Sequence, residues 1–321
     1  MGMLSKLFGS AGAPEFATFD FDDQHVGILK YHMFGQFTYS LSRRYFLVWR
    51  DSNSHFNTDS SCTSSGRVML FEGERVLCDL QLKRPHDGKV ADSGVFIIND
   101  WDSDKDGLGG TFCAYHSDGS TIVRQSYKAN LYNNGLSLDG RWAACQTCNS
   151  PDHLDGSVLT IFDLSASKER SRWSAECGWP DGYEFSEDGG KLFLVVRDLG
   201  SFTYSLDGEF LDRQAWLDAG IACGHVSIAM KILAQTGDAA TSDVLHRIIV
   251  GLDTASKYPR NGDPRNQAQI LTLMGQCHDK LSDWTAALKC YDAALALNSN
   301  VSVKRRATQI RKVIKKDIVA E

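Results

Sequence analysis

The sequence predicts two domains of different class, a strand-rich domain over residues 16–217 and a shorter α-helical domain over residues 218–321. Three observations support this division. Glycine-led strand pairs recur in the first two thirds of the chain, and the spacing of apolar residues changes from two to 3.6 after Trp216. The charge also changes sign, from 20 Lys and Arg against 30 Asp and Glu in residues 1–217 to 14 against 10 in residues 218–321. Residues 1–15 are predicted to be a flexible leader.

The strand-rich domain contains an internal repeat. Four segments begin with glycine and alternate apolar with polar residues on both sides of a short polar turn, which predicts a β-hairpin in each. These glycines are Gly66, Gly110, Gly156 and Gly200. Four further strand pairs lie between or before these hairpins, and three of them carry a turn aspartate, at Asp92, Asp139 and Asp188.

Four strands in about 45 residues resemble one blade of a β-propeller. Ile161-Phe162-Asp163 stands where WD40-type blades carry an aromatic residue followed by Asp, but no blade begins with Gly-His, so WD40-like and YVTN-like propellers both stay open. Residues 16–40 are expected to form part of a fifth sheet, or the strand that closes the ring with the last blade. A ring of four to five blades is small, so an incomplete propeller, a β-sandwich and pairing of two chains remain alternatives.

The helical domain has one segment with a specific pattern, residues 268–301. Large and small residues alternate there as two closely packed helices require, at Leu271, Met274, Gly275, Ala287, Tyr291 and Ala294. This pattern resembles the tetratricopeptide repeat (TPR), although His278 and Ser299 depart from its signature. The resemblance implies a short helical stack in which helices within 220–257 form a degenerate repeat and a helix over 302–319 caps the end.

The same resemblance implies a concave groove that binds protein segments. By their position in the first helix of the repeat, the residues expected to face this groove are Gln269, Thr272, Gln276 and Asp279. TPR domains that bind C-terminal carboxylates have Lys and Asn where this chain has Thr272 and Gln276. A clamp for such tails is therefore not expected.

The last helix is strongly basic. Its cations are Lys304, Arg305, Arg306, Arg311, Lys312, Lys315 and Lys316. An apolar stripe through Val303, Ala307 and Ile310 predicts that the cations form the solvated face of a capping helix. An acidic partner or nucleic acid is the alternative, but nucleic acid is not favoured because the face has no aromatic residues on which bases could stack.

Two short motifs suggest metal binding. Asp102, Asp104 and Asp106, followed by Gly107, have the spacing of a calcium loop, but Cys113 stands where an EF-hand needs its bidentate glutamate. Calcium and an acidic solvated turn are thus the two interpretations. Cys145-Gln-Thr-Cys148 has the spacing of half a zinc site or of a redox pair, and two strand cysteines are the simpler interpretation. No other cofactor is expected.

These observations favour a non-enzymatic adaptor that binds other proteins through the groove and the propeller surface. We expect it in the cytoplasm, because nine irregularly spaced cysteines are typical of a reducing compartment and no apolar run is long enough to cross a membrane. A bacterial source is part of the same hypothesis. One alternative is a propeller-type hydrolase or lyase with its site in a central funnel, although no nucleophile motif or P-loop occurs. The other alternative is a self-assembling structural subunit, a homo-oligomer.

Overall fold

The computed structural model describes residues 18–22, 24–52, 65–102 and 107–320, except for the side chains of residues 18–22, 238 and 316–320. The chain divides into two compact units. The first, the sheet unit, comprises Met1–Arg197 and Ser201–Leu211; the second, the helical unit, comprises Asp198–Gly200 and Asp212–Glu321. The predicted leader lies outside the described residues.

The sheet unit consists of antiparallel strands that pair in chain order. Its strands are β1 (Thr18–Asp22), β2 (His25–Ile28), β3 (Met33–Tyr39), β4 (Tyr45–Arg50), β5 (Gly66–Glu72), β6 (Arg75–Leu82), β7 (Pro85–Val90), β8 (Phe96–Trp101), β9 (Gly110–Tyr115), β10 (Thr121–Tyr127), β11 (Leu131–Leu136), β12 (Trp142–Thr147), β13 (Leu159–Asp163), β14 (Lys168–Trp173), β15 (Gly182–Phe185), β16 (Lys191–Val196) and β17 (Gly200–Ser205). They form sheet 1 (β1–β6), sheet 2 (β7–β10), sheet 3 (β11–β14) and sheet 4 (β15–β17). The predicted glycine-led segments contain the hairpins β5–β6, β9–β10 and β13–β14 and the strand β17.

A recurring hydrogen-bonded turn joins the first two strands of sheets 3 and 4. In the β11–β12 turn, the Ser137 hydroxyl donates to Asp139 at 2.6 Å and accepts from the backbone N–H of Trp142 at 2.8 Å. Ser186 and Asp188 repeat this arrangement between β15 and β16, where the hydroxyl donates at 2.5 Å. The hydrogen bond from Ser186 holds the pKa of the Asp188 carboxyl below its usual value. The aspartates predicted at these turns therefore close them as acceptors.

The β7–β8 turn links the turns of the neighbouring sheets. The Asp92 carboxylate accepts from the backbone N–H of Ser42 at 2.8 Å and from its hydroxyl at 2.6 Å, both in the β3–β4 turn. The backbone N–H of Asp92 donates to the carbonyl of Leu138 in the β11–β12 turn at 3.2 Å. Asp92 thus connects the turns of sheets 1, 2 and 3 along one edge.

Consecutive sheets stack face to face, with β7 packed on β3 and β4, β11 on β7 and β8, and β15 on β11. The inner sheets bury both faces, as β8 illustrates: Phe96 and Ile98 pack towards sheet 1 and Ile97 towards sheet 3. The rings of Phe112 and Phe162 stack between sheets 2 and 3, with centroids 4.7 Å apart. A continuous series of apolar interlayers therefore holds the four sheets together.

Strands β1 and β2 extend sheet 1 on the open edge of β3. The sequence-based expectation that residues 16–40 form a fifth sheet or close the ring with the last blade is therefore wrong. A Cβ at Gly35 would lie 2.1 Å from the carbonyl oxygen of Trp49, so only glycine allows β3 to approach β4 this closely. The pairing of β1 and β2 with sheet 1 cannot be predicted from local sequence, because it depends on packing between residues that are distant in the chain.

Sheet 4 differs from the inner sheets because it buries mainly one face. Along β16, Leu192 and Leu194 are fully buried against sheet 3, whereas Lys191 is exposed and Phe193 and Val195 are half-buried. Alternation of buried with accessible residues is typical of a sheet with one solvated face. Sheet 4 therefore ends the stack within the described residues.

The helical unit contains α1 (Arg213–Ala222), α2 (Val226–Thr236), α3 (Ser242–Ser256), α4 (Pro264–Lys280), α5 (Trp284–Leu297) and α6 (Lys304–Ala320). Aspartates cap the starts of two of these helices: the side chains of Asp263 and Asp283 accept from backbone N–H groups in the first turns of α4 and α5. Helices α4 and α5 pack extensively, and Gly275 of α4 lies against the buried ring of Tyr291 in α5.

The predicted fold class is confirmed: a small propeller-like unit of successive sheets precedes a unit of packed helices. The β-sandwich alternative is wrong, because four sheets stack in series and two of them are covered on both faces by others. The boundaries predicted for the domains stay predictions, and α1 begins at Arg213.

Candidate interaction surfaces

The four residues predicted to face a groove lie along one side of α4, because three or four positions separate each from the next. We call this set, Gln269, Thr272, Gln276 and Asp279, the groove side. Gln269 is exposed and the other three are partly exposed. The Thr272 hydroxyl donates to the carbonyl of Ala268 one turn earlier, at 2.8 Å.

The groove side borders two other helices. The side-chain amide nitrogen of Gln269 lies 2.9 Å from the sulfur of Met230 in α2, and Lys280 Nζ donates to the carbonyl of Gly237 just beyond α2 at 2.8 Å. Gln269, near the start of α4, thus contacts the middle of α2, and Lys280, the last residue of α4, contacts the residue after the end of α2. The two helices therefore run in the same direction, as alternate helices of a stacked helical repeat do.

Asp279 is held in a bidentate ion pair with Arg306 of α6, whose Nε and Nη2 each lie 2.6 Å from one carboxylate oxygen. The Tyr291 hydroxyl of α5 is 3.5 Å from the same carboxylate. The Asp279 side chain is only 14% exposed. Its contacts with Tyr291 and Arg306 join α4, α5 and α6. The ion pair also neutralises the one acidic residue of the groove side. Gln276 borders a shallow depression beside this pair.

The cations of α6 fall into two groups. Arg306 and Arg311 form ion pairs with Asp279 and Asp292. The remaining cations with described side chains are exposed, and no carboxylate in the described part of the chain pairs with them; we call these four, Lys304, Arg305, Lys312 and Lys315, the cationic face. The predicted stripe of Val303, Ala307 and Ile310 is buried on the opposite side of α6. The side chain of Lys316 lies outside the described set.

Only one of the three aspartates of the predicted calcium loop is described. Asp102 accepts from Lys83 Nζ at 2.8 Å, and its backbone N–H donates to the carbonyl of Gly109 at 3.2 Å. Asp104 and Asp106 lie outside the described residues. Among residues 18–22, 24–52, 65–102 and 107–320, no group of three His, Cys, Asp or Glu side chains is arranged to hold a metal ion. Calcium stays a prediction.

Cys145 and Cys148 are free thiols in environments that disfavour the thiolate form. Cys145 is fully buried between sheets 2 and 3, and Cys148 is half-buried. Burial raises the pKa of both thiols, Cys145 the more strongly. A raised thiol pKa opposes both metal ligation and redox chemistry, since each requires the thiolate.

Sequence reasoning missed a polar cluster at one edge of the sheet unit. His86 Nε2 lies 3.2 Å from the Asp51 carboxylate, and the His86 ring stacks on Trp101 with centroids 4.3 Å apart. Arg84 lies 3.5 Å from the other oxygen of Asp51. These residues come from the end of β4, the start of β7 and the end of β8, so no local motif relates them. The contacts fix the imidazole orientation.

An exposed aromatic pair was also missed. Tyr132 of β11 and Trp179, in the loop before β15, are 41% and 47% exposed, with ring centroids 6.3 Å apart. The Trp179 indole N–H donates to the carbonyl of Thr147 at 3.1 Å, which fixes the ring. We call these two residues the aromatic pair. By contrast, Trp49 and Trp142 are buried between sheets.

No family model and no curated protein matches this chain. Among solved structures, it is similar to Hsv2 from Kluyvelomyces marxianus, with 13% identity and a TM-score of 0.37 over 57% of this chain and 53% of the other. It is also similar to the C-terminal WD40 domain of Sif2, with 10% identity and a TM-score of 0.37 over 60% of this chain and 48% of the other. The chain thus spans about half the length of each of these structures.

None of the helices in the described part of the chain is both long enough and apolar enough to cross a membrane.

Proposed function

We propose that this protein is a non-enzymatic adaptor that binds other proteins through two surfaces, the aromatic pair of the sheet unit and the groove side of α4. The observation that carries the proposal is the aromatic pair. Two large rings are each more than two fifths exposed, and one of them is fixed by a hydrogen bond to the backbone. Tyrosine and tryptophan dominate the binding energy of protein interfaces because they bury a large area with few rotatable bonds.

The groove side supports the same function from the helical unit. Its amide and hydroxyl groups lie on a helix that α2, α5 and α6 hold in place, so they are displayed without a large loss of conformational entropy. The TPR resemblance adds that such a side binds an extended or helical protein segment. Its three neutral polar residues can form hydrogen bonds with the backbone of a partner. They are Gln269, Thr272 and Gln276.

A first experiment tests the aromatic pair. Full-length protein is used to capture partners from a lysate of the source cells, with quantitative mass spectrometry. We expect the double variant Tyr132→Ser, Trp179→Ser to lose enriched proteins by about tenfold or more. The control is Leu41→Ser, which removes a 72% exposed apolar side chain elsewhere in the sheet unit and should leave capture unchanged. Equal capture by all three proteins, with unaltered thermal unfolding, would refute this role of the pair.

A second experiment tests the groove side. We expect Thr272→Glu with Gln276→Glu to weaken capture, because two new carboxylates would have to be desolvated against a partner. The matched control is Ala293→Glu with Ala296→Glu, which adds the same charge to the exposed side of α5. If both variants keep all partners and the same melting temperature, the groove side is not a binding surface.

A further inference from the structure

The cationic face of α6 is more charged than a capping helix requires. A solvated cap is normally covered by charges of both signs, which keep it soluble without self-repulsion. Here Lys304, Arg305, Lys312 and Lys315 share the side of α6 that points away from its buried stripe, and no described carboxylate neutralises them. Aligned like charges on one helix destabilise it.

The cations at the start of α6 destabilise the helix in a second way. Lys304, Arg305 and Arg306 occupy the first turn of α6, and that turn contains no acidic residue. The helix macrodipole already places positive charge at this end, where carboxylates are favourable and cations are not. Helix stability alone therefore gives no reason for this arrangement, whereas an incoming anion would be attracted by both the side chains and the dipole.

The surface also has a shape that could receive a chain segment. Lys304, Arg305 and Lys312 border a shallow depression on the outward side of α6, with Thr308 and Gln309 between them. Thr308 donates to the carbonyl of Lys304 at 2.9 Å, so its hydroxyl oxygen is fixed near the helix surface. The depression thus has cations around its border and neutral polar groups at its centre.

We propose that the cationic face binds an acidic segment of a partner protein, one whose Asp and Glu side chains recur along a short stretch of chain. Charge complementarity identifies this occupant. A long polyanion such as DNA or RNA is disfavoured by the net charge of −6, to which residues 1–217 contribute ten more acidic than basic groups. A short acidic segment carries fewer negative charges, so this repulsion is weaker. The described cationic face also offers no aromatic ring on which a base could stack.

This site is separate from the aromatic pair and the groove side, so its test does not depend on theirs. The probe is a fluorescein-labelled peptide in which glutamates alternate with glycines, and fluorescence anisotropy measures its binding to the full chain at low and at physiological salt. The same peptide with glutamine in place of glutamate controls for charge. We expect binding of the glutamate peptide only, and weaker binding as salt rises, because screening reduces the attraction.

Charge-reversed variants then locate the site. Arg305→Glu with Lys312→Glu should raise the peptide dissociation constant by about tenfold or more. Lys168→Glu with Lys289→Glu gives the same net charge from two exposed lysines elsewhere, and should change the constant by less than about twofold. Circular dichroism confirms that each variant is folded.

Three results would overturn the proposal. They are no binding of the glutamate peptide at low salt, an equal effect of both variant pairs, and tighter binding of single-stranded DNA or of phosphatidylserine vesicles than of the peptide. The last result would assign the cationic face to nucleic acid or to a membrane surface.

Discussion

Gly275 determines how closely α4 and α5 can pack. A Cβ at this position would lie 2.5 Å from Cε1 and 2.6 Å from Cδ1 of Tyr291, whose side chain is almost fully buried. Alanine is otherwise favoured over glycine in a helix by about 1 kcal/mol, so propensity and packing oppose each other here. We expect the steric cost to exceed the gain in helix propensity, because a buried aromatic ring cannot move away without straining its neighbours.

We therefore predict that Gly275→Ala lowers the free energy of unfolding by about 1–2 kcal/mol. Urea denaturation of the full chain measures this. In a Tyr291→Leu background the same substitution should cost less, since the ring that it meets is gone, and the difference between the two costs gives the coupling energy. A stabilising Gly275→Ala in the natural background would contradict the close packing.

Asp100 predicts a specific pH dependence. Its carboxyl is 2% exposed, accepts from the backbone N–H of Arg84 at 2.8 Å and lies 3.9 Å from Arg124. Burial is the largest influence and raises the pKa of Asp100. From the unfolded value of about 3.9 up to the raised folded value, the folded protein binds more protons than the unfolded chain. Stability must therefore fall as pH rises through that window.

Asp100→Asn removes this titration. We predict that the stability of the variant relative to the natural protein increases as pH rises from acid towards neutrality and then stays constant. Urea unfolding at a series of pH values measures the difference, which cancels the titration of all other groups. A difference that does not change with pH would show that the Asp100 carboxyl titrates in the folded protein as it does in the unfolded chain.

At the scale of single elements, the serine of the recurring turn is the most informative position. Ser137 is 7% exposed and supplies both the acceptor for the N–H of Trp142 and the donor for Asp139. Ser186 makes the equivalent bonds but is half-buried, so water can replace it. Ser137→Ala should cost about 1–3 kcal/mol and Ser186→Ala less than about 1 kcal/mol. Thermal unfolding ranks the two, and equal losses would contradict the role of burial.

Elements with local signals were predictable from sequence, and elements that depend on distant partners were not. Turn chemistry at Asp139 and Asp188 predicted the hairpins, since the aspartate and the following glycine act within a few residues. The small residues of α4 and α5 predicted a close helix pair for the same reason. The pairing of β1 and β2 with β3 could not be predicted, because either edge of several sheets offers the same hydrogen bonds.

The candidate surfaces follow the same rule. Periodicity placed Gln276 and the other groove-side residues on one side of a helix, but it could not reveal that Asp279 pairs with Arg306 across two helices. The basic composition of α6 was evident from the sequence, whereas only the structure shows which of its described cations form ion pairs. Tyr132 and Trp179 are far apart in sequence, and aromatic residues in strand-rich segments are usually buried, so their exposure gave no sequence signal.

At the scale of the sheet unit, the question is whether the stack ends at sheet 4. Phe193 on its outer face is half-buried, whereas Leu194 on its inner face is fully buried against sheet 3. Phe193→Thr should cost less than about 1 kcal/mol, because threonine suits a strand with a solvated face. Leu194→Thr should cost about 3 kcal/mol or more, since it leaves a cavity and a buried hydroxyl. Chemical denaturation compares them.

If Phe193→Thr proved as damaging as Leu194→Thr, a further layer would have to cover sheet 4 in solution. Light scattering across protein concentration would then identify a second copy of the chain as that layer. Unequal costs together with a constant molecular mass would support an open stack.

The serial arrangement of the sheets has a consequence for how such a chain can change over generations. Each sheet is formed by one continuous stretch of sequence. It packs mainly on the sheets formed by the preceding and the following stretches. Duplicating the gene segment for one inner sheet would insert a layer whose two faces already suit such neighbours. An open series tolerates this addition, whereas a closed ring must alter the angle between all of its members to admit one more.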